Sequence, residues 1–170
     1  MKRDWKQIKE YEEILFDFFE GIARITINRP RYRNAFTPRT TWEISDALYY
    51  CREAKDVRVV VLTGAPSPLQ EGQTEEERLK TEAFCAGGDI AEMKGITTEE
   101  AFFDFMSVAG GFTTLLNTFP KPVITAAHGA IAGAGTSLLM AGDIALVADN
   151  AMFIVAFGQV GLVPDCACHY

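Results

Sequence analysis

Residues 57–62, VRVVVL, constrain the fold of this chain more than any other segment. They form a β-branched run that ends at Gly64, a pattern typical of a strand buried on both faces. A second apolar run of this kind covers residues 123–127, and segments with helical periodicity lie between the two runs. Buried strands joined through helices predict an α/β fold with parallel crossover connections.

Two alternating runs precede this strand. Ile14, Phe16 and Phe18 face one way, and after Glu20-Gly21 the alternation resumes over Ile22–Ile27, which predicts a β-hairpin. Thr37-Pro38 has the form of an N-cap followed by a first-turn proline, and it predicts a helix over about 38–53.

Further elements follow along the chain. Residues 65–82 are polar and acidic and predict a surface loop that includes one helical turn. Thr97 to Glu100 has capping-box form and predicts the start of a long helix, and a buried helix is expected over 136–141. Strands are expected over 143–148 and 152–155. There is no internal repeat and no linker, so one domain over residues 1–170 is expected.

Composition limits the class of partner. The 170 residues are 48% hydrophobic, which is ordinary for one globular domain. A net charge of −7 disfavours nucleic acid or an anionic membrane as the main partner, because like charges repel. The chain opens without an apolar leader and has no run long enough to span a bilayer, so a cytoplasmic, reducing location is expected.

The four cysteines do not indicate a metal site. Cys166 and Cys168 are followed by His169, but these residues offer three candidate ligands and no second pair completes a zinc knuckle. Free thiols and no bound metal are therefore expected.

Two glycine-containing segments carry the chemistry, residues 84–90 (FCAGGDI) and 128–135 (HGAIAGAG). Each is expected to follow a strand and lead into a helix, where backbone N–H groups are unpaired. Two such sites that converged would form an oxyanion hole. Tight turns or close helix–strand packing are the better explanation of either segment taken alone, and neither segment has the spacing of a nucleotide-binding GxGxxG loop.

The ordered set ITINRP, RNAF, VVVLTG, AFCAGGDIAEM, KPVITAAHGAIAGAG and VGLVPD resembles the crotonase (enoyl-CoA hydratase/isomerase) superfamily. The resemblance runs from about Ile14 to the end, interrupted mainly by residues 65–82. The N-terminal third is similar to dihydroxynaphthoyl-CoA synthases, and the later part is similar to enoyl-CoA isomerases.

The resemblance implies a spiral of ββα turns that acts on acyl-CoA thioesters. It places the oxyanion donors on the N–H groups of Gly88 and Ala134. Coenzyme A, as part of the substrate and with no other cofactor, would contact the four residues Arg33, Ala35, Cys85 and Ala86. Arginine suits a phosphate group, although a solvated surface arginine is an equally good interpretation.

The resemblance also bears on the reaction. Hydratases of the family carry glutamates where this chain has Ser137 and Phe157, and the GGGH segment of the naphthoate synthases is AGAGT here. Asp165 follows Pro164 as the acid does in isomerases, and its apolar neighbours would raise its pKa and make it a better base. Double-bond isomerisation, as in fatty acid metabolism, is therefore expected.

Three alternatives remain open: a hydratase (a lyase), a dihydroxynaphthoyl-CoA synthase-like enzyme, and a non-catalytic interaction module. Family members are longer than 170 residues. The resemblance thus implies a spiral truncated at the C-terminus, without the helices that cover the acyl pocket, and a homo-trimer or hexamer if the full-length chain is present.

Overall fold

The computed structural model describes residues 4–164, with only the backbone at positions 109 and 160. The strands are β1 Lys6–Glu10, β2 Ile14–Phe19, β3 Ile22–Ile27, β4 Val59–Gly64, β5 Ala83–Cys85, β6 Val123–Ala127, β7 Ala130–Ala132, β8 Ile144–Val147 and β9 Met152–Ile154. The α-helices are α1 Pro38–Glu53, α2 Glu75–Thr81, α3 Ile90–Lys94, α4 Glu99–Asn117 and α5 Ala134–Met140. Short 3-10 helices cover Pro30–Tyr32 and Phe157–Val160.

The main sheet has the strand order β1-β2-β3-β4-β6-β8. The hairpin predicted from alternation is confirmed, because β2 and β3 are antiparallel with Ile14 opposite Ile27. From β3 onward all neighbours are parallel, through β4, β6 and β8. The predicted α/β fold with parallel crossovers is therefore confirmed.

A second sheet contains three parallel strands in the order β5-β7-β9. Each of the pairs β4/β5, β6/β7 and β8/β9 contributes its first strand to the main sheet and its second strand to this small sheet. Helices α2, α3 and α4 adjoin β5 in the chain, and α5 follows β7. This repeated strand–strand–helix order is the spiral that the sequence resemblance implied.

Helix α1 forms where the sequence predicted it. Thr37 and Thr40 complete a reciprocal capping box, and Pro38 occupies the first turn. Its buried face includes Ile44 and Leu48, which pack into the core together with Phe16 on β2 and residues of β4. Burial of this apolar face holds the helix on the sheet.

Three sequence-based expectations need correction. Strand β4 is not buried on both faces, because Val60 and Leu62 are fully buried while the residues that alternate with them, Val59, Val61 and Thr63, are half-buried. Helix α4 is capped by Thr98 rather than Thr97, since the Thr98 hydroxyl accepts from the Ala101 amide. The acidic segment contains a helix of seven residues, α2, whose N-terminus is closed by a capping box between Thr74 and Glu77.

Strands β8 and β9 lie at the edges of the two sheets. Large apolar side chains on and beside these edges are exposed: Met140, Ile144, Leu146, Val147, Met152, Phe153 and Val155. Among residues 4–164, no helix combines the length and apolar character that crossing a membrane requires.

Candidate active site

The first glycine-containing loop connects β5 to α3 and is aligned by Phe36. The Phe36 amide donates to the Gly87 carbonyl at 2.9 Å, and the Asp89 amide donates to the Phe36 carbonyl at 2.9 Å. In a trans peptide the C=O and the N–H point in opposite directions. Because the Gly87 carbonyl points toward Phe36, the Gly88 N–H of the same peptide points away from it.

The second loop connects β7 to α5. Gly133 has φ of 50° and ψ of −128°, and its amide donates to the Ile154 carbonyl at 3.0 Å. Ala134 is the first residue of the helix, so its N–H has no partner within the helix. Glycine suits position 133 because L side chains rarely adopt a positive φ.

The two loops touch each other through glycine backbone. A Cβ atom on Gly87, where φ is 92°, would lie 3.0 Å from the Ala132 carbonyl oxygen and 3.1 Å from the Ala134 nitrogen. A Cβ atom on Gly135 would overlap the carbonyl group of Cys85. Close packing, one of the two explanations that the sequence left open, therefore applies to both loops, and it brings their amides together.

Both loops line one cavity of about 140 Å³, with Gly88 and Ala134 in its wall. Within residues 4–164, neither of these two amides donates a hydrogen bond to a protein acceptor. The rest of the wall is formed mainly by apolar side chains, from Phe36, Ile90, Met93, Phe105, Met106, Phe157 and Leu162. Two free donors therefore open onto an apolar space.

Carboxylates are absent from this wall as far as the described chain shows it, and Gln159 contributes the one polar side chain. Ser137, at one hydratase glutamate position, is fully buried, and Phe157, at the other, lines the cavity. The predicted acid Asp165 lies outside the described residues, as do Cys166, Cys168 and His169. The part of the chain that is described contains no cluster of His, Cys, Asp and Glu able to hold a metal ion.

The four residues predicted to contact coenzyme A differ in how exposed they are. Arg33 is exposed, and its carbonyl accepts from the Ala86 amide at 3.1 Å. Arg33 and Arg31 line a polar cavity of about 180 Å³, while Ala86 lines the apolar cavity next to Gly87. The cavity lined by Arg31 and Arg33 thus lies on one side of the Arg33–Ala86 hydrogen bond. The apolar cavity with the two glycine-containing loops lies on the other side.

The other two contacts are buried. Ala35 is 8% exposed, and its carbonyl accepts from the Arg29 guanidinium. Cys85 is fully buried, and burial raises the pKa of its thiol to about 12, although an N–H from Gly87 to its sulfur acts in the opposite direction. The coenzyme A roles of Ala35 and Cys85 remain predictions, and the side chain of Cys85 packs inside the fold.

Sequence reasoning missed the group that anchors the first loop. Arg29 Nε lies 3.2 Å from Glu13, and its Nη1 lies 3.0 Å from Asp89, with the Arg29 and Asp89 side chains only 12% and 11% exposed. Asp89 also caps α3, because its side chain accepts from the Ala91 amide. Periodicity could not reveal this cluster, because Arg29 and Asp89 are 60 residues apart.

The strand–strand–helix spiral is the architecture that the family resemblance implied, and its two glycine-containing loops meet at an apolar cavity. The sequence pattern of the enoyl-CoA hydratase/isomerase family matches residues 17–169, and the chain belongs to this family. The predicted membership of the crotonase superfamily is therefore confirmed.

Relatives share the fold over most of the chain. The 1,2-epoxyphenylacetyl-CoA isomerase of Escherichia coli is 34% identical over 158 residues, which cover 91% of this chain and 55% of the relative. The crystal structure of an enoyl-CoA hydratase/isomerase (crotonase) from Legionella pneumophila has a TM-score of 0.80 and 27% identity, covering 94% of this chain and 56% of that one. For an enoyl-CoA hydratase from a Polaromonas species the TM-score is 0.78 and the identity 29%, covering 90% and 55%. The chain thus spans just over half the length of these proteins.

Proposed function

We propose that this chain acts on acyl-CoA thioesters, with the amides of Gly88 and Ala134 donating to the thioester oxygen. The observation that carries the proposal is that both amides are unpaired within the described residues and lie in the wall of one cavity. Such donors stabilise the negative charge that collects on the oxygen when a neighbouring carbon loses a proton. In a dry pocket each donor is worth roughly 3–4 kcal/mol.

The reaction we propose is movement of a carbon–carbon double bond. Asp165 removes a proton from carbon 2 of a 3-enoyl-CoA, and the electron pair spreads over the thioester as a dienolate. The same proton returns to carbon 4, which gives the 2-enoyl-CoA without uptake of water. One carboxylate suffices for both transfers.

One feature of the sequence supports isomerisation over hydration, while the names of the relatives point both ways. The positions of the hydratase glutamates hold Ser137 and Phe157, and neither side chain can act as a carboxylate base. The E. coli relative carries the name of an isomerase, whereas the solved structures are mostly named as hydratases. Leu162, three residues before Asp165, lines the cavity, so the chain approaches the acyl site just ahead of the proposed acid.

We assign the phosphate groups of coenzyme A to the second cavity. Arg31 and Arg33 line it, and arginine binds phosphate in a bidentate manner. The Arg33–Ala86 hydrogen bond joins this basic cavity to the apolar one, so an extended ligand could reach from phosphate to thioester along the loop. No cofactor beyond the coenzyme A of the substrate enters this proposal.

The test is incubation with a 3-enoyl-CoA and, separately, with a 2-enoyl-CoA. Conversion between the enoyl isomers supports the proposal, and a 3-hydroxyacyl-CoA product would establish a hydratase instead. Asp165→Asn is expected to lower isomerase turnover at least about 100-fold without unfolding the protein. Asp149→Asn, an exposed aspartate in a turn, is the matched control.

Wild-type turnover by Asp165→Asn would overturn the assignment of the acid. Calorimetric titration with an acyl-CoA tests whether the chain binds this class of ligand, independently of any reaction. No binding at millimolar ligand would reject acyl-CoA processing and favour a non-catalytic module of the same fold.

A further inference from the structure

We propose that Arg29 is a positioning residue that sets the direction and donor strength of the Gly88 amide through two hydrogen-bonded peptide groups. This inference rests on the proposed role of that amide. Arg29 itself does not line the cavity, so it acts through the backbone of other residues.

The first link joins the guanidinium to the chain before Phe36. Arg29 Nη1 donates to the Ala35 carbonyl at 2.5 Å. The other end of the same peptide is the Phe36 N–H, which points in the opposite direction because the peptide is planar and trans. A cation at the carbonyl end draws electron density from the peptide and makes its N–H a stronger donor.

The second link joins Phe36 to the first glycine-containing loop. The Phe36 N–H donates to the Gly87 carbonyl at 2.9 Å, and the other end of that peptide is the Gly88 N–H. Three groups therefore lie in series with their dipoles pointing the same way: the Arg29 guanidinium, the Ala35–Phe36 peptide and the Gly87–Gly88 peptide. The N–H of the last peptide is the free amide. Hydrogen bonds arranged in series strengthen one another.

Two further contacts fix the guanidinium itself. Glu13 lies 3.2 Å from Nε, and its other oxygen accepts from the hydroxyls of Thr37 and Thr40. Asp89 lies 3.0 Å from Nη1, and the Asp89 amide bonds back to Phe36. The Arg29 side chain thus contacts the Ala35 carbonyl, next to Phe36, and the Asp89 carboxylate, next to Gly88. It therefore holds together the two chain segments whose hydrogen bonds align Gly88.

The variant Arg29→Met removes the donor to Ala35 but leaves two carboxylates without their cation, which alone can unfold a protein. The double variant Arg29→Met/Asp89→Asn avoids most of this, because Asn still caps α3 and Glu13 keeps its two hydroxyl partners. The single variant Asp89→Asn is the reference. Arg24→Met, which breaks the Arg24–Asp17 ion pair elsewhere on the sheet, is the matched control.

The ligand-free measurement is the amide NMR signal of Gly88 in protein labelled with ¹⁵N-glycine, identified by its loss in Gly88→Ala. We expect this signal to move more between the double variant and Asp89→Asn than any glycine signal outside residues 84–90. An unmoved Gly88 signal, or an equal shift in Arg24→Met, would overturn the proposal. This outcome does not depend on any activity.

The functional measurement is turnover of a 3-enoyl-CoA. The double variant should lower kcat roughly 10-fold or more relative to Asp89→Asn, with KM within about threefold, because an oxyanion donor acts mainly in the transition state. A lower melting temperature with unchanged kcat would show a merely structural role and overturn the inference. If the Gly88 signal shifts in the double variant but the wild-type protein turns over no acyl-CoA, the proposed function is rejected. The effect of Arg29 on the Gly88 amide is then still supported.

Discussion

The two glycine-containing loops both pack closely through their backbones, but among the described residues only the first is also anchored by a side-chain ion pair. The first loop is held by hydrogen bonds and ion pairs, from Phe36 to Gly87 and from Arg29 to Asp89. The second loop is held by a hydrogen bond from the Gly133 amide to the Ile154 carbonyl and by contact between backbones, since a Cβ atom on Gly135 would overlap the Cys85 carbonyl group. A Cβ atom on Gly129, which precedes β7 in the same glycine-containing segment and has φ of 61°, would likewise overlap the Glu82 carbonyl group.

The difference predicts different responses to change. Hydrogen bonds and ion pairs can lose one member and keep the others, so the first loop should weaken in steps. Backbone packing cannot weaken in such small steps, because an added methyl group must displace main-chain atoms on both sides of the contact. The second loop should therefore tolerate almost no side chain at its contact points.

The largest effect is expected for Gly135→Ala. The added methyl group would overlap the Cys85 carbonyl oxygen and lie 2.9 Å from its carbon, and strand β5 cannot move away without disturbing its pairing with β7. We expect a loss of roughly 3 kcal/mol or more in the free energy of unfolding, measured by urea denaturation. A variant as stable as wild type would show that the two loops are not fastened differently.

A smaller loss is expected for Asp89→Ala. The change removes the ion pair with Arg29 and the cap on α3, while Glu13 still pairs with the guanidinium. We expect a loss of about 2 kcal/mol. Asp89→Asn should regain about 1 kcal/mol of this by restoring the cap, and equal losses in both variants would exclude the cap as a contributor.

The thiol of Cys85, where the two loops meet, predicts a dependence on alkaline pH. Burial raises its pKa to about 12, above the value near 9 in the unfolded chain. A raised folded-state pKa gives stability that is complete below pH 9 and is lost as the pH rises toward 12. We expect wild type to lose on the order of 1–2 kcal/mol more than Cys85→Ser between pH 8 and pH 10.5. Parallel pH curves for the two proteins would contradict this.

The smallest effect is expected for Gly88→Ala in the first loop. The nearest atom to an added Cβ is the Met93 sulfur at 3.8 Å, an ordinary contact distance. The free energy of unfolding should change by less than about 1 kcal/mol, in either direction. This is the counterpart of Gly135→Ala, because both changes add one methyl group to the same pair of loops. A loss as large as that of Gly135→Ala would remove the distinction.

Periodic segments were predictable from the sequence. The hairpin formed by β2 and β3, and the helix α1, follow from patterns that extend over six residues or more. The small sheet was largely missed, because two of its strands, Ala83–Cys85 and Ala130–Ala132, are too short to show any alternation. The start of α4 was wrong by one residue, because two adjacent threonines offer the same cap.

The candidate site was predictable only in part. The family motifs pointed to Gly88 and Ala134, and the structure places both in one cavity wall, while their role as donors remains a proposal. The meeting of the loops depends on contacts such as Gly87 with Ala134, which local pattern cannot encode. The anchoring of Arg29 was missed for the same reason, since each of its partners comes from a different segment of the chain.

The exposed edges of the two sheets have a consequence for how this chain behaves in solution. Strands β8 and β9 each have one edge that no described strand pairs, and with their exposed apolar side chains these edges can pair with a second molecule. The net charge of −7 opposes such an encounter, but only over the Debye length, which falls from about 10 Å in 0.1 M salt to about 3 Å in 1 M salt. Light scattering from the 170-residue chain should therefore rise with ionic strength, and a dilute, low-salt buffer should keep it dispersed.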